Sequence, residues 1–66
     1  MSVRMPCHRL TFDEAVEIQI RLLNGEFQSR IAPLYDVNQG RVADVKAGRL
    51  HAGSYAEALR RRSSAA

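Results

Sequence analysis

Apolar residues between positions 12 and 23 recur at the spacing of an α-helix rather than a β-strand. Thr11 precedes this segment and Glu14 follows three positions later, which is the T-x-x-E pattern of a capping box. Gly25 suits the left-handed backbone that commonly follows a helix end. The pattern predicts a first helix over about residues 12–24. Its apolar side has seven members: Phe12, Ala15, Val16, Ile18, Ile20, Leu22 and Leu23.

This apolar side spans roughly 200° of the helix, which is wider than the usual stripe that faces one neighbour. Part of it must therefore pack against a C-terminal helix of the same chain or against a second subunit. The residues expected at this dimer or partner seam come from both ends of the chain: Val16, Ile20, Leu23, Tyr55 and Leu59. The pattern leaves intramolecular packing and a homodimer seam both open.

The sequence of residues 27–35 predicts a short second helix, with Ile31 and Leu34 pointing inward. Pro33 lies inside this segment and lacks a backbone N–H, so the helix should start late or bend. The dipeptide 36–37 then makes a tight connection to the next element.

Asn38 is a good N-cap for a third helix over about residues 39–47, which Gly48 should end. Val42 and Val45 are three positions apart and should anchor this helix in the core. Two short helices joined by a tight turn form a helix-turn-helix.

The two ends of the chain are predicted from local signals. Ser54 and Glu57 repeat the capping-box pattern and predict a short helix through about Arg62, whereas residues 1–9 show no periodicity. No segment alternates as a β-strand does, so we expect an all-α fold: a three-helix helix-turn-helix core plus a short C-terminal helix. The expected units are a flexible N-terminal arm (1–9), the helix-turn-helix domain (10–53), and a short C-terminal helix with a disordered tail (54–66).

The middle of the chain resembles the small bacterial and phage helix-turn-helix proteins of the homeodomain-like kind. The resemblance covers about residues 10–50. Its matching elements are Leu22-Leu23, Gly25, Gln28-Ser29-Arg30-Ile31-Ala32, Val37-Asn38-Gln39-Gly40-Arg41-Val42, Val45 and Lys46-Ala47-Gly48. This resemblance implies binding to double-stranded DNA through the third helix.

The resemblance also implies roles for individual residues. Base-reading positions would lie near the start of the third helix: Asn38, Gln39, Gly40, Arg41 and Asp44. Gln39 can pair with adenine, Arg41 with guanine, and Asp44 can accept from a cytosine amino group. Phosphate-binding positions would open the second helix and follow the third: Gln28, Ser29, Arg30, Lys46 and Arg49, with His51 as a further candidate. Small residues at 40, 43 and 47 would let the third helix approach base edges closely.

The charge of the chain is uneven. The net charge of the whole chain is +3. Residues 1–37 hold four basic and five acidic side chains, which gives this part a net charge of −1. Residues 38–66 hold six basic and two acidic side chains, which gives this part a net charge of +4. A basic half favours a polyanionic partner. The run Arg60-Arg61-Arg62 fits phosphate binding and equally fits a solvated helix end that complements the helix dipole.

Other functional classes find little support in the sequence. No serine, histidine and carboxylate constellation and no phosphate-cradling glycine loop occurs, so we expect no enzyme. Cys7, His8 and His51 lack zinc-site spacing, so we expect no metal and no cofactor. No apolar run reaches the roughly 18 residues of a membrane span, and a single cysteine fits a reducing compartment, so we expect a cytoplasmic protein.

The sequence therefore predicts a small transcriptional regulator that binds double-stranded DNA sequence-specifically and acts as a homodimer. Two alternatives remain. One is a helix-turn-helix scaffold that binds a protein partner of the transcription machinery, such as a regulator or polymerase subunit. The other is architectural DNA binding with little sequence preference.

Overall fold

The computed structural model describes residues 9–64, which are all-helical and contain no β-strand. The elements in chain order are α1 (Phe12–Leu23), α2 (Gln28–Ile31), a 3₁₀ helix (Ala32–Tyr35), α3 (Gln39–Ala47) and α4 (Ser54–Ser64). The predicted fold class, a three-helix core followed by a C-terminal helix, is confirmed. Almost all of the predicted arm, residues 1–8, lies outside the described residues.

Helix α1 begins and ends where its local signals place it. The Thr11 hydroxyl accepts a hydrogen bond from the Glu14 amide at 3.1 Å, and the Glu14 carboxylate accepts one from the Thr11 amide at 2.9 Å. This reciprocal pair is the predicted capping box. The helix ends at Leu23, and Gly25 takes the left-handed conformation with φ of 90°.

The second segment changes helix type at Pro33. Helix α2 is only one turn long, and the chain then tightens into the 3₁₀ helix, where proline is tolerated in the first turn. The predicted bend is therefore present. Ile31 is fully buried as expected, but Leu34 is 59% exposed, so the prediction that it points inward is wrong. A 3₁₀ helix has 3.0 residues per turn instead of 3.6, and side chains beyond the change no longer follow the α-helical phase.

Asp36 makes the turn that separates the second segment from α3. Its φ and ψ are 55° and 43°, a left-handed conformation that aspartate tolerates better than most residues. Val37 follows and is buried under the turn. Asn38 then caps α3 as predicted, because its side chain accepts from the Arg41 amide at 3.1 Å, and Gly48 ends the helix with φ of 80°.

The core lies between α1, the α2–3₁₀ segment and α3. Its buried members are Leu10, Ala15, Ile18, Ile31, Ala32, Val37, Val42 and Val45. Helix α4 packs extensively on another side of α1, where Val16 and Ala58 are fully buried. The wide apolar arc of α1 is thus divided between the helix-turn-helix core and α4.

The start and end of α4 differ from the prediction. Ser54 is the first helical residue rather than a cap, and its fully buried hydroxyl accepts from the side-chain amide of Gln19 at 3.3 Å. The Glu57 amide donates to the Gly53 carbonyl instead, so the predicted capping box at Ser54 is wrong. The helix continues to Ser64, two residues into the predicted tail, and Ala65 and Ala66 lie outside the described residues.

Candidate nucleic-acid interface

Helix α3 presents one side to the core and the other to solvent. Val42 and Val45 are fully buried, whereas Gln39, Gly40 and Arg41 are exposed. The centre of the outward side is formed by three small residues: Gly40, Ala43 and Ala47. With no long side chain at its centre, this surface allows another molecule to approach the helix backbone closely.

One flank of this surface borders an open cleft of about 460 Å³. Eight residues line it: Leu22, Gly25, Glu26, Phe27, Gln28, Ser29, Gln39 and Lys46. The cleft therefore joins the start of α2 to α3. It brings together Gln39, a predicted base-reading residue, with three predicted phosphate-binding residues, Gln28, Ser29 and Lys46.

The other flank is charged. The Asp44 carboxylate accepts a hydrogen bond from Arg49 Nε at 3.0 Å, and it lies 3.6 Å from Arg41 Nη1. Arg41 and Arg49 remain largely exposed, at 60% and 66% of their side chains, while Asp44 is 30% exposed. Three residues predicted to contact DNA separately thus contact one another in the free chain.

Two predicted base-reading residues also shape the start of α3. The Asn38 side-chain oxygen accepts from the Arg41 amide, which uses one of its two lone pairs, and its NH₂ group can donate to another molecule. A Cβ atom at Gly40 would lie 3.1 Å from that same oxygen. Glycine at this position therefore preserves the cap as well as the small-residue surface.

Three predicted phosphate-binding residues do not line the cleft, and one of them is Arg49, which pairs with Asp44 on the other flank. Arg30 is exposed on α2 but is not among the residues that border it. His51 lies elsewhere: its Nε2–H donates to the Leu10 carbonyl at 2.9 Å, and its ring packs edge-on against Phe12 with centroids 6.0 Å apart. This histidine joins the loop after α3 to the start of α1, and its suggested phosphate contact stays a prediction.

The expected seam on α1 is partly used within the chain. Val16 is 0% exposed, so α4 covers it and no second subunit is needed there. Ile20 and Leu23 are half-buried, and Tyr55 and Leu59 on α4 are 49% and 40% exposed. Intramolecular packing therefore accounts for Val16, and the partly exposed residues are the ones left for a partner.

Gln19 is the residue whose role the sequence did not reveal. It is only 3% exposed, and its side-chain amide donates to the Val45 carbonyl at 2.7 Å and to the Ser54 hydroxyl at 3.3 Å. One side chain of α1 thus holds the C-terminal end of α3 and the start of α4. Its position among apolar residues of α1 was the available signal, since a buried amide needs partners.

A second polar network fixes the outer side of α1. The Tyr35 hydroxyl donates to Glu17 at 2.8 Å and accepts from Arg21 Nε at 3.3 Å, and Arg21 also pairs with Glu26 at 3.0 Å. Burial raises the pKa of the Tyr35 hydroxyl, and the hydrogen bonds to Tyr35 and then Glu26 raise the pKa of Arg21. Tyr35 is therefore held at the rim of the core by charged residues of α1.

The arginines of α4 are largely engaged with carboxylates. Arg60 and Arg61 both bind Glu57, and Arg61 also pairs with Asp13 at 3.2 Å. Hydrogen bonds from Arg60 and then Arg61 lower the pKa of Glu57 to about 2. Within residues 38–62, Arg41, Arg49, Arg60 and Arg61 are therefore in ion pairs, so the basic half offers less unpaired positive charge than its formal total.

The comparisons with known proteins give no family. No family model, no curated protein and no solved structure matches the chain significantly. In residues 9–64, no helix has both the length and the apolar character needed to span a bilayer. The same residues hold no cluster of three or more histidine, cysteine or carboxylate side chains placed to bind a metal ion, and Cys7 and His8 lie outside them.

Proposed function

We propose that this chain binds double-stranded DNA sequence-specifically through α3 and acts as a small transcriptional regulator. The observation that carries the proposal is the construction of α3. Two valines fix it in the core, small residues form the centre of its outward side, and polar or charged side chains border that side on both flanks. A helix of this kind, held by a short preceding helix across a tight turn, suits insertion into a major groove.

The two flanks suit different contacts. Gln39 lies at the first turn of α3, where its amide can pair with an adenine edge, and Arg41 can pair with guanine once it leaves Asp44. Gln28, Ser29 and Lys46 border the cleft beside Gln39, and this arrangement supports phosphate contacts next to the base contact proposed for Gln39.

The proposal includes a homodimer. Ile20, Leu23, Tyr55 and Leu59 are partly exposed apolar residues on the packed pair α1 and α4. A symmetric pair would bury them and present two copies of α3 to successive major grooves, roughly 34 Å apart.

Selection of duplexes from a random library tests the function directly. The wild-type chain should enrich one sequence. On that duplex, Gln39→Ala and Arg41→Ala should each weaken binding by about 1–3 kcal/mol. Gln39→Ala should spare binding to random duplexes, and Arg41→Ala should weaken that binding much less than it weakens binding to the selected duplex. Arg62→Ala is the matched control, because it removes the same charge as Arg41→Ala from exposed α4. Parent-like binding by both α3 variants would rule out α3 as the sequence-reading element.

A protein-binding scaffold is the second candidate, and two exposed apolar residues favour it. Phe27 is 71% exposed and Leu34 is 59% exposed, both in the segment that supports α3. Large apolar side chains at the surface are common at protein interfaces. This candidate predicts that no duplex is enriched in the selection. Architectural binding predicts duplex binding without an enriched sequence.

A further inference from the structure

Asp44 lies between two arginines on the charged flank of α3. Its carboxylate lies between Arg41, three residues earlier on the helix, and Arg49, five residues later. Both of its oxygens are used, because Oδ1 accepts from Arg49 and Oδ2 faces Arg41. The charged flank of α3 therefore carries a local net charge of +1 instead of the +2 that two unpaired arginines would give.

The backbone fixes this arrangement at the end of α3. Gly48 takes the left-handed conformation, and the Arg49 amide then donates to the Asp44 carbonyl at 2.9 Å. This hydrogen bond is the six-to-one bond of a helix C-terminal turn. It brings Arg49 back to the residue whose carboxylate its side chain binds, so the pair is held by main chain and side chain together.

We propose that Asp44 competes internally with nucleic-acid phosphate for Arg41 and Arg49, and so weakens binding to polyanions in general. This inference rests on the proposed function and adds a specificity-determining residue to it. Nonspecific binding is almost entirely electrostatic, so it loses most when two arginines are already paired. Specific binding also has base contacts; Asp44 opposes only the one from Arg41, and it can itself contribute as an acceptor.

The competition has a consequence for the salt dependence of binding. Each arginine that neutralises a phosphate releases counterions and makes the slope of log K against log salt steeper by about 0.9. Asp44→Asn removes the competing charge but keeps the shape of the side chain. This variant should therefore recruit one or two further phosphate contacts. The slope should steepen by about 1–2, and affinity for a random duplex near 0.1 M NaCl should rise about tenfold.

Two variants separate this effect from net charge and from misfolding. Glu17→Gln removes the same unit of negative charge from the outer side of α1, where the residue binds Tyr35 rather than an arginine of α3. Asp44→Glu keeps a carboxylate at the position and should retain the wild-type slope. Far-UV circular dichroism of each variant checks that α3 is still folded.

The measurements are elution from heparin-agarose and anisotropy titration of a random duplex over a range of NaCl concentrations. We expect Asp44→Asn to elute at higher salt than both the wild type and Glu17→Gln, with Asp44→Glu eluting like the wild type. Co-elution of Asp44→Asn with Glu17→Gln, or an unchanged slope, would overturn the proposal. If the wild type binds no duplex, the proposed function fails, and the heparin comparison alone then supports or overturns internal competition.

Discussion

Replacing Gln19 by glutamate should make the stability of this protein depend on pH. The two side chains have almost the same shape, but an ionised carboxylate cannot donate. At this 3% exposed position, the amide nitrogen lies 2.7 Å from the Val45 carbonyl oxygen. A carboxylate in its place would put a carboxylate oxygen next to the Val45 carbonyl oxygen, and the two acceptors would repel each other in a site with little water.

The size and sign of the effect follow from the pKa of the introduced group. Burial beside a carbonyl oxygen should raise its pKa in the folded chain by about 2 units above the ordinary value of about 4.3. Below about pH 4 the carboxyl is protonated in both states, and its O–H can donate to Val45, so little stability is lost. As pH rises from about 4.3 to the raised pKa, only the unfolded chain ionises freely, and about 3 kcal/mol is lost by pH 7.

Thermal melts followed by circular dichroism at about pH 4 and pH 7 measure this loss against the wild type. In a domain of this size, 1 kcal/mol corresponds to about 4–8 °C in Tm, so a loss of 3 kcal/mol is easily resolved. Gln39→Glu is the matched control, because the same substitution lies at an exposed position in the first turn of α3. An equal loss at both pH values, or less than about 1 kcal/mol at pH 7, would refute the role assigned to Gln19.

Three further outcomes are expected. Val42→Ala should lower the free energy of unfolding by about 1–3 kcal/mol in urea titration, because it removes buried methyl groups from a small core; an unchanged midpoint would contradict the burial of Val42. Joint neutralisation of Lys46 and Arg49 should reduce the magnitude of the DNA salt slope by about 1, because Arg49 is already engaged with Asp44; no change would remove both from the phosphate contacts. Leu59→Glu should yield folded monomers with weaker DNA binding in sedimentation and anisotropy, and a wild type that is itself monomeric on DNA would exclude the dimer.

The parts of the fold that the sequence predicted well depend on contacts between near neighbours. Thr11 and Asn38 cap their helices through atoms three residues away, and Gly48 ends α3 through its own backbone conformation. Such signals lie within a few adjacent residues of the sequence. For this reason α3 has the predicted bounds and α1 differs by one residue at its end.

The parts that the sequence predicted poorly depend on distant partners or on a change of helical phase. Ser54 has a capping pattern, but its hydroxyl binds Gln19, which is 35 residues away. Leu34 follows a proline that converts the segment to a 3₁₀ helix, which turns it toward solvent.

The contacts within the predicted interface also depend on residues that are distant in the sequence. Asp44 and Arg49 were assigned to different DNA contacts from their positions alone, and only the turn at Gly48 brings them together. The positions of Gln28, Ser29 and Lys46 around one cleft also depend on how α2 and α3 pack. Whether these groups contact DNA stays a prediction.

The packing of α4 over α1 determines when the apolar side of α1 becomes shielded from solvent during synthesis. Helix α4 is synthesised last, so Val16 on α1 stays uncovered until α4 has formed and docked. Until α4 docks, the chain displays an apolar strip of the kind that chaperones and proteases recognise. A substitution that slows the docking of α4 would therefore lower the yield of protein in the cell more than it lowers the equilibrium stability of the finished molecule.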